Sequence, residues 1–249
     1  MLCWRYDLRN RNINPTFILI IVILAASSIR SGSFASDPMA WVADKVMLIP
    51  AIVIGLSFHE FAHAFVADKC GDPTPKLQGR VTLNPLAHID WMGLAALFFC
   101  GFGWGIPVQI DPRNFRHRRR DELFVALAGV VMNLLVAIVF AVICKIVVLT
   151  CNVTWLTSDG MGGYIWTMLL YVIQINLVLM IFNLIPVPPL DGFNILAQIV
   201  NIGNTKAYWT LYRYGSWILI ALIIFGITGM IISPCVSVMM NLLFNLIIL

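Results

Sequence analysis

The sequence predicts an all-α polytopic membrane protein with about five to six transmembrane helices and a short membrane-associated β or re-entrant segment after the second. Three observations predict it. Of 249 residues, 60% are hydrophobic and 11% charged, whereas a soluble domain carries about 45–50% apolar and about 25% charged residues. Apolar runs recur that approach or exceed the roughly 20 residues needed to cross a bilayer. Lysine and arginine alternate between loops that hold many of them and loops that hold almost none, as membrane topology requires. The size suits one membrane-embedded domain, 1–249. The net charge of +4 follows this topology and does not point to nucleic acid. The six cysteines, Cys3, Cys70, Cys100, Cys144, Cys151 and Cys235, are scattered without a C-x-x-C pair. They read as small hydrophobes, not as a disulfide framework or a metal cluster.

Taken in order, residues 1–13 are polar and carry Arg5, Arg9 and Arg11. The apolar run 17–29 follows and reads as a short first span. A signal peptide is the competing reading, with Ser33-Phe34-Ala35 resembling a cleavage site. The second span covers about 40–68. Residues 69–122 are mixed: Gly71-Asp72-Pro73-Thr74-Pro75 is a turn cluster, Leu77 to Leu83 reads as a short extended segment, and Asn84-Pro85 ends it. The apolar stretch 91–105 is short and interrupted by Gly93, Gly101, Gly103 and Gly105. It reads as a re-entrant loop or hairpin, which is tolerated at membrane depth only where protein buries it.

The third span covers about 122–149, where Ala128-Gly129 would let another helix come close. The fourth runs from about Tyr164 to Ile185 and ends in Pro186-Val187-Pro188-Pro189, which cannot continue a helix. Asp191 therefore hangs just beyond a span, and the core helical region extends over 164–192. Residues 193–211 read as an amphipathic connection. The fifth span covers about 212–232, ended by Pro234, and 236–249 as an interfacial helix or partial span. Basic residues mark alternate loops: Arg5, Arg9 and Arg11; then Lys69, Lys76, Arg80, Arg113, Arg116, Arg118, Arg119 and Arg120; then Lys206 and Arg213. This predicts a cytoplasmic N-terminus, with spans two and four both running inward.

The second span holds His59-Glu60-Phe61-Ala62-His63. On a helix, positions i and i+4 share a face, so His59 and His63 can address one ion, with Glu60 as general base. Ionisable groups at mid-bilayer cost about 2.5–3.5 kcal/mol each on insertion scales and are usually functional. The bland alternative, two core histidines bonded to neighbouring helices, has no cheap explanation there. A catalytic zinc takes three protein ligands and keeps one open position. Asp191, His88, His117 and Asp111 are the candidates for the third. Asp191 reaches similar depth on the same side as the histidines, beside a broken helix.

His59-Glu60-Phe61-Ala62-His63 together with Asn183-Leu184-Ile185-Pro186-Val187-Pro188-Pro189-Leu190-Asp191-Gly192 resembles the motif pair of the site-2 proteases, which are intramembrane zinc metalloproteases. Gly79-Arg80-Val81-Thr82-Leu83-Asn84-Pro85 and Phe102-Gly103-Trp104-Gly105-Ile106-Pro107-Val108 resemble the compact prokaryotic branch without PDZ or CBS domains. The likeness covers about 50–195. It implies one Zn²⁺ per chain held by His59, His63 and Asp191, Glu60 as the catalytic residue, and Asn183 holding substrate or the transition state. One departure is Val130, where the family often has proline.

The expected activity is hydrolysis of peptide bonds in or near transmembrane helices of membrane-protein substrates within the bilayer of a prokaryotic cell, on the cytoplasmic side. The substrate has to unwind locally. Residues 69–90 and 91–105 are the expected place for an edge strand or gate. The alternatives are a zinc-dependent membrane hydrolase of a non-protein substrate, a membrane metal-binding or transport protein, and an inactive scaffold. Four histidines make a transport pathway sparse.

Overall fold

The computed structural model describes residues 36–100, 104–158, 160–203 and 205–248. Nine α-helices lie among the described residues. They are α1 (Pro38–Cys70), α2 (Thr74–Leu77), α3 (Trp91–Cys100), α4 (Arg118–Thr150), α5 (Val153–Leu156), α6 (Met161–Leu184), α7 (Asp191–Val200), α8 (Lys206–Ile224) and α9 (Ile227–Leu243). Four are long and apolar enough to cross a membrane: α1, α4, α6, and α9 extended to Ile248. The expected first span, 17–29, and the possible cleavage site at 33–35 lie outside the described residues.

α1 starts at Asp37, whose carboxylate accepts from Ala40 N–H, with proline in the first turn. It ends at Gly71, which takes φ +110°, a left-handed cap that an L side chain rarely adopts. Its 33 residues make a rod of about 50 Å. That is longer than the roughly 30 Å of hydrocarbon, so part of it stands clear.

Contacts fix the helix directions. Ala51 of α1 packs with Val136 of α4 and Val172 of α6. Further along, His63 meets Val125, so α1 and α4 are antiparallel. Asp44 accepts from the Tyr171 hydroxyl, and Gly55 faces Asn176, so α1 and α6 run parallel. On another face of α4, the small residues Ala137, Ala141 and Cys144 join one cluster with Ile173 and Leu177 of α6 and, toward the C-terminus, Ile248. Small residues allow this close approach where no hydrophobic driving force acts between helices.

Two sequence expectations are corrected, the extended reading of 77–83 and the bounds of the fifth span. The segment 77–83 is not extended. Arg80 N–H donates to Pro75 C=O at 2.8 Å, and Asp72 accepts from the Thr74 amide and hydroxyl, so proline and an aspartate cap close a helical turn. The segment 91–105 begins as a helix of ten residues, about 15 Å, too short to span. No strand occurs among the described residues; one antiparallel bridge, Ile89 to Gly105, joins the two sides of this segment. The fifth span is not 212–232. The chain breaks earlier, at Gly226 with φ +71°, and Pro234 lies inside α9. A proline is tolerated within a membrane helix when local adjustments satisfy the carbonyl it frees. Residues 236–249 accordingly belong to a long apolar helix, as far as Ile248.

Candidate metal centre

α1 and α6 point their C-terminal ends the same way, and this brings the two halves of the centre together. α6 stops at Leu184, and the proline-rich turn leads into α7, whose first residue is Asp191. Asp191 Oδ2 lies 3.2 Å from Nε2 of both His59 and His63. The two Nε2 atoms are 3.0 Å apart. Both histidines are buried. These three residues are the group of His, Cys, Asp and Glu that could hold an ion among the described residues.

The residues fit zinc. Ligand atoms about 2.0–2.2 Å from a tetrahedral zinc lie roughly 3.3–3.6 Å from one another, close to the spacings seen here. Asp191 Oδ2 is buried with no hydrogen-bond partner, and such an atom inside an apolar bundle wants a cation or a donor. Two imidazoles and one carboxylate are also the donor set that suits zinc with an open position.

α4 supports the centre from behind. His63 Nδ1 lies 2.7 Å from the Val125 carbonyl, which only accepts and so places the proton on Nδ1. His59 Nδ1 lies 3.3 Å from Asn133 Nδ2. Between them Gly129 lets the helix backbone touch both rings. A Cβ there would sit 2.5 Å from His59 Cε1 and 2.5 Å from His63 Nε2.

Glu60 faces an irregular segment, 104–111. Its Oε2 accepts from Val108 N–H at 3.0 Å. That segment is held by Arg80, which donates to the carbonyls of Ile106 and Pro107, and by Ile106 N–H donating to His88 C=O at 2.7 Å. Burial draws the Arg80 guanidinium below its usual value, and the nearby Glu60 carboxylate opposes that shift.

The other sequence candidates lie elsewhere. His88 is fully buried with Nε2 on the Thr82 carbonyl at 2.8 Å. His117 is exposed at the start of α4. Asp111 caps a short 3₁₀ turn and pairs with Arg113, and this pairing holds its carboxyl below the usual range. Asn183 is near the end of α6, with its Nδ2 on the Leu179 carbonyl at 2.9 Å, so that amide is engaged with its own helix. Sequence reasoning missed Val125, the place of Asn133 behind His59, and the contacts of Arg80 with Ile106 and Pro107 and of Glu60 with Val108. Gly129 stood out only as a small residue beside Ala128, and nothing in its spacing tied it to His59 or His63.

Comparison with known proteins identifies the family. Residues 47–225 match the description "Peptidase family M50". The chain is 34% identical over 193 residues to the "Putative zinc metalloprotease YwhC" of Bacillus subtilis, covering 76% of this chain and 85% of that one. It is 28% identical to Rip2 of Mycolicibacterium smegmatis, which carries the same designation, over 85% of this chain and 80% of the relative. It is 26% identical to the "Zinc metalloprotease MJ0392" of Methanocaldococcus jannaschii, over 86% of this chain and 50% of that protein. No solved structure matches. The chain belongs to peptidase family M50, the site-2 type of zinc metalloprotease.

Proposed function

We propose that this chain is an intramembrane protease that hydrolyses peptide bonds in or near transmembrane helices of membrane-protein substrates. The observation that carries the reading is the meeting of His59, His63 and Asp191 inside a bundle of apolar helices, with Glu60 on the same turn as His59. In this reading the three residues hold one zinc. When bound, the ion supplies Lewis acidity and activates water at neutral pH.

The chain's own residues do the rest. Glu60 takes the proton of the attacking water and returns it to the leaving amine. Its Oε2 is steadied by Val108 N–H, which leaves Oε1 for the proton. Segment 104–111, pinned by Arg80, lies beside Glu60 and offers irregular backbone at which an unwound substrate strand can pair. Asn183 gives one Nδ2 hydrogen to Leu179 C=O, and its second hydrogen can serve substrate or oxyanion without releasing that bond. The basic residues of 69–120 lie beyond the C-terminal end of α1, so the positive-inside rule sets the centre toward the cytoplasm.

The test uses the full chain in detergent and in lipid vesicles containing a transmembrane-helix substrate. About one zinc per chain is expected in wild type and Glu60→Gln, and little in Asp191→Ala, with cleavage in wild type alone. Cleavage that survives Glu60→Gln refutes the role of Glu60. Full zinc in Asp191→Ala removes that residue from the ligand set. Substrate crosslinks that avoid 77–111 altogether would remove the docking segment.

A further inference from the structure

Asn133 belongs to neither of the two motifs that meet at the centre. It is completely buried, its Nδ2 lies 3.3 Å from His59 Nδ1, and its Oδ1 has no hydrogen-bond partner. An orphaned amide oxygen in an apolar bundle calls for an explanation.

The two histidines differ at their rear nitrogens. Behind His63 stands a backbone carbonyl, which can only accept, so His63 carries its proton on Nδ1 and presents a bare Nε2. Behind His59 stands a carboxamide, which offers a donor at one end and an acceptor at the other. For His59 Nε2 to bind a cation, its proton has to sit on Nδ1, and that proton needs an acceptor. Half a turn of the carboxamide brings the orphaned Oδ1 to that place, and the two ends are so alike in size that no neighbour moves.

We infer that Asn133 is a positioning residue of the metal centre: its carboxamide oxygen accepts the Nδ1 proton of His59 and thereby commits His59 Nε2 to the ion. This rests on His59 being a zinc ligand. Without the ion the opposite orientation serves. Nδ2 then donates to a bare Nδ1, and Nε2–H donates to the bare Nε2 of His63 at 3.0 Å. A carboxamide satisfies both states, and the Val125 carbonyl satisfies only one. His59 is therefore the ring whose tautomer changes on loading, and His63 the ring already set.

The experiment is zinc affinity by chelator competition on the full chain in detergent, for wild type, Asn133→Leu, Asn133→Asp and His59→Ala. Thermal unfolding of each zinc-free protein accompanies it. Removal of an outer partner of a ligating histidine costs about 10–100-fold in metal affinity. That loss is expected in Asn133→Leu, with affinity near wild type in Asn133→Asp, which keeps an acceptor. The zinc-free Asn133→Leu protein loses the orphaned oxygen but also the donor to His59 Nδ1, so a modest fall in its unfolding midpoint is expected, and the same fall in Asn133→Ala marks the part of the loss that is not specific to zinc. Wild-type affinity in Asn133→Leu overturns the inference, as does a loss in both variants that tracks lost stability. Where Asn133→Leu does not fold, Asn133→Ala gives the same comparison without added bulk. Wild-type zinc affinity in His59→Ala would instead overturn the ligand reading, whatever Asn133 does.

Discussion

Replacing Gly129 by alanine puts a methyl group where the two imidazoles already are. The added Cβ would stand 2.5 Å from His59 Cε1, 2.5 Å from His63 Nε2 and 2.7 Å from His59 Nδ1. Non-bonded carbon contacts settle at about 3.5–4.0 Å, so the rings or the helix must retreat by roughly 1 Å. A misplacement of that size costs on the order of 100-fold in rate. Overpacking costs about 1–3 kcal/mol, and alanine recovers about 0.5–1 kcal/mol over glycine inside a helix. The zinc-free fold is thus expected to lose between about 0 and 2.5 kcal/mol. The assay compares zinc content, cleavage of a helical substrate in vesicles, and thermal unfolding. Gly229→Ala is the control, since a Cβ there meets nothing within 4 Å and should be neutral or mildly stabilising. If Gly129→Ala keeps full zinc and full activity, the close approach of α4 does not set the ring positions and the steric reasoning fails.

Two further outcomes follow from the segments around Glu60. Arg80→Met keeps an apolar stem but removes the donors to Ile106 and Pro107. Activity should fall roughly 10–100-fold as 104–108 loosens, with zinc content unchanged, and an unaltered rate in vesicles would refute the pinning role. Burial holds the His88 imidazole below its ordinary pKa, against the pull of the Thr82 carbonyl, and Arg80 adds to the lowering. The unfolded chain takes up this proton near the ordinary value of about 6.5, so it binds more protons than the fold as pH drops below that, and stability falls until the folded pKa is passed. The zinc-free thermal midpoint should therefore decline from pH 7.5 to 5.5 and decline less in His88→Asn. Equal slopes in the two proteins would show that His88 is not the group responsible.

Much of the centre was legible from residue order. The i, i+4 spacing of His59 and His63 puts them on one face of any helix, and alternating positive loops set Asp191 at their depth. The support behind the rings was not legible, because it depends on register. Whether Val125, Gly129 or some other turn of α4 faces His59 and His63 is decided by side-chain packing between segments about 60 residues apart, not by local pattern. The C-terminal boundary failed for a different reason. Pro234 looks like a helix end, yet Gly226 ends α8 because its left-handed conformation turns the chain, and Pro234 stays within α9. Residues 77–83 carry β-branched and apolar side chains, but the bonds to Asp72 and Pro75 outweigh that preference.

The parallel course of α1 and α6 also bears on how the molecule is made. The histidine pair leaves the ribosome well before its carboxylate partner. With about 130 residues between them and synthesis at about 5–20 residues per second, the delay is roughly 7–26 s. For most of that interval α1 is available for insertion before α6 (Met161–Leu184) has been made, so a nascent chain offers two imidazoles and no Asp191. Competence to hold the ion with three ligands arrives only with the second half of the polypeptide, after α4 has been made and has had time to pack against the histidines. The order of the spans thus sets the meeting of His59, His63 and Asp191 after α1 and α4 have both been made.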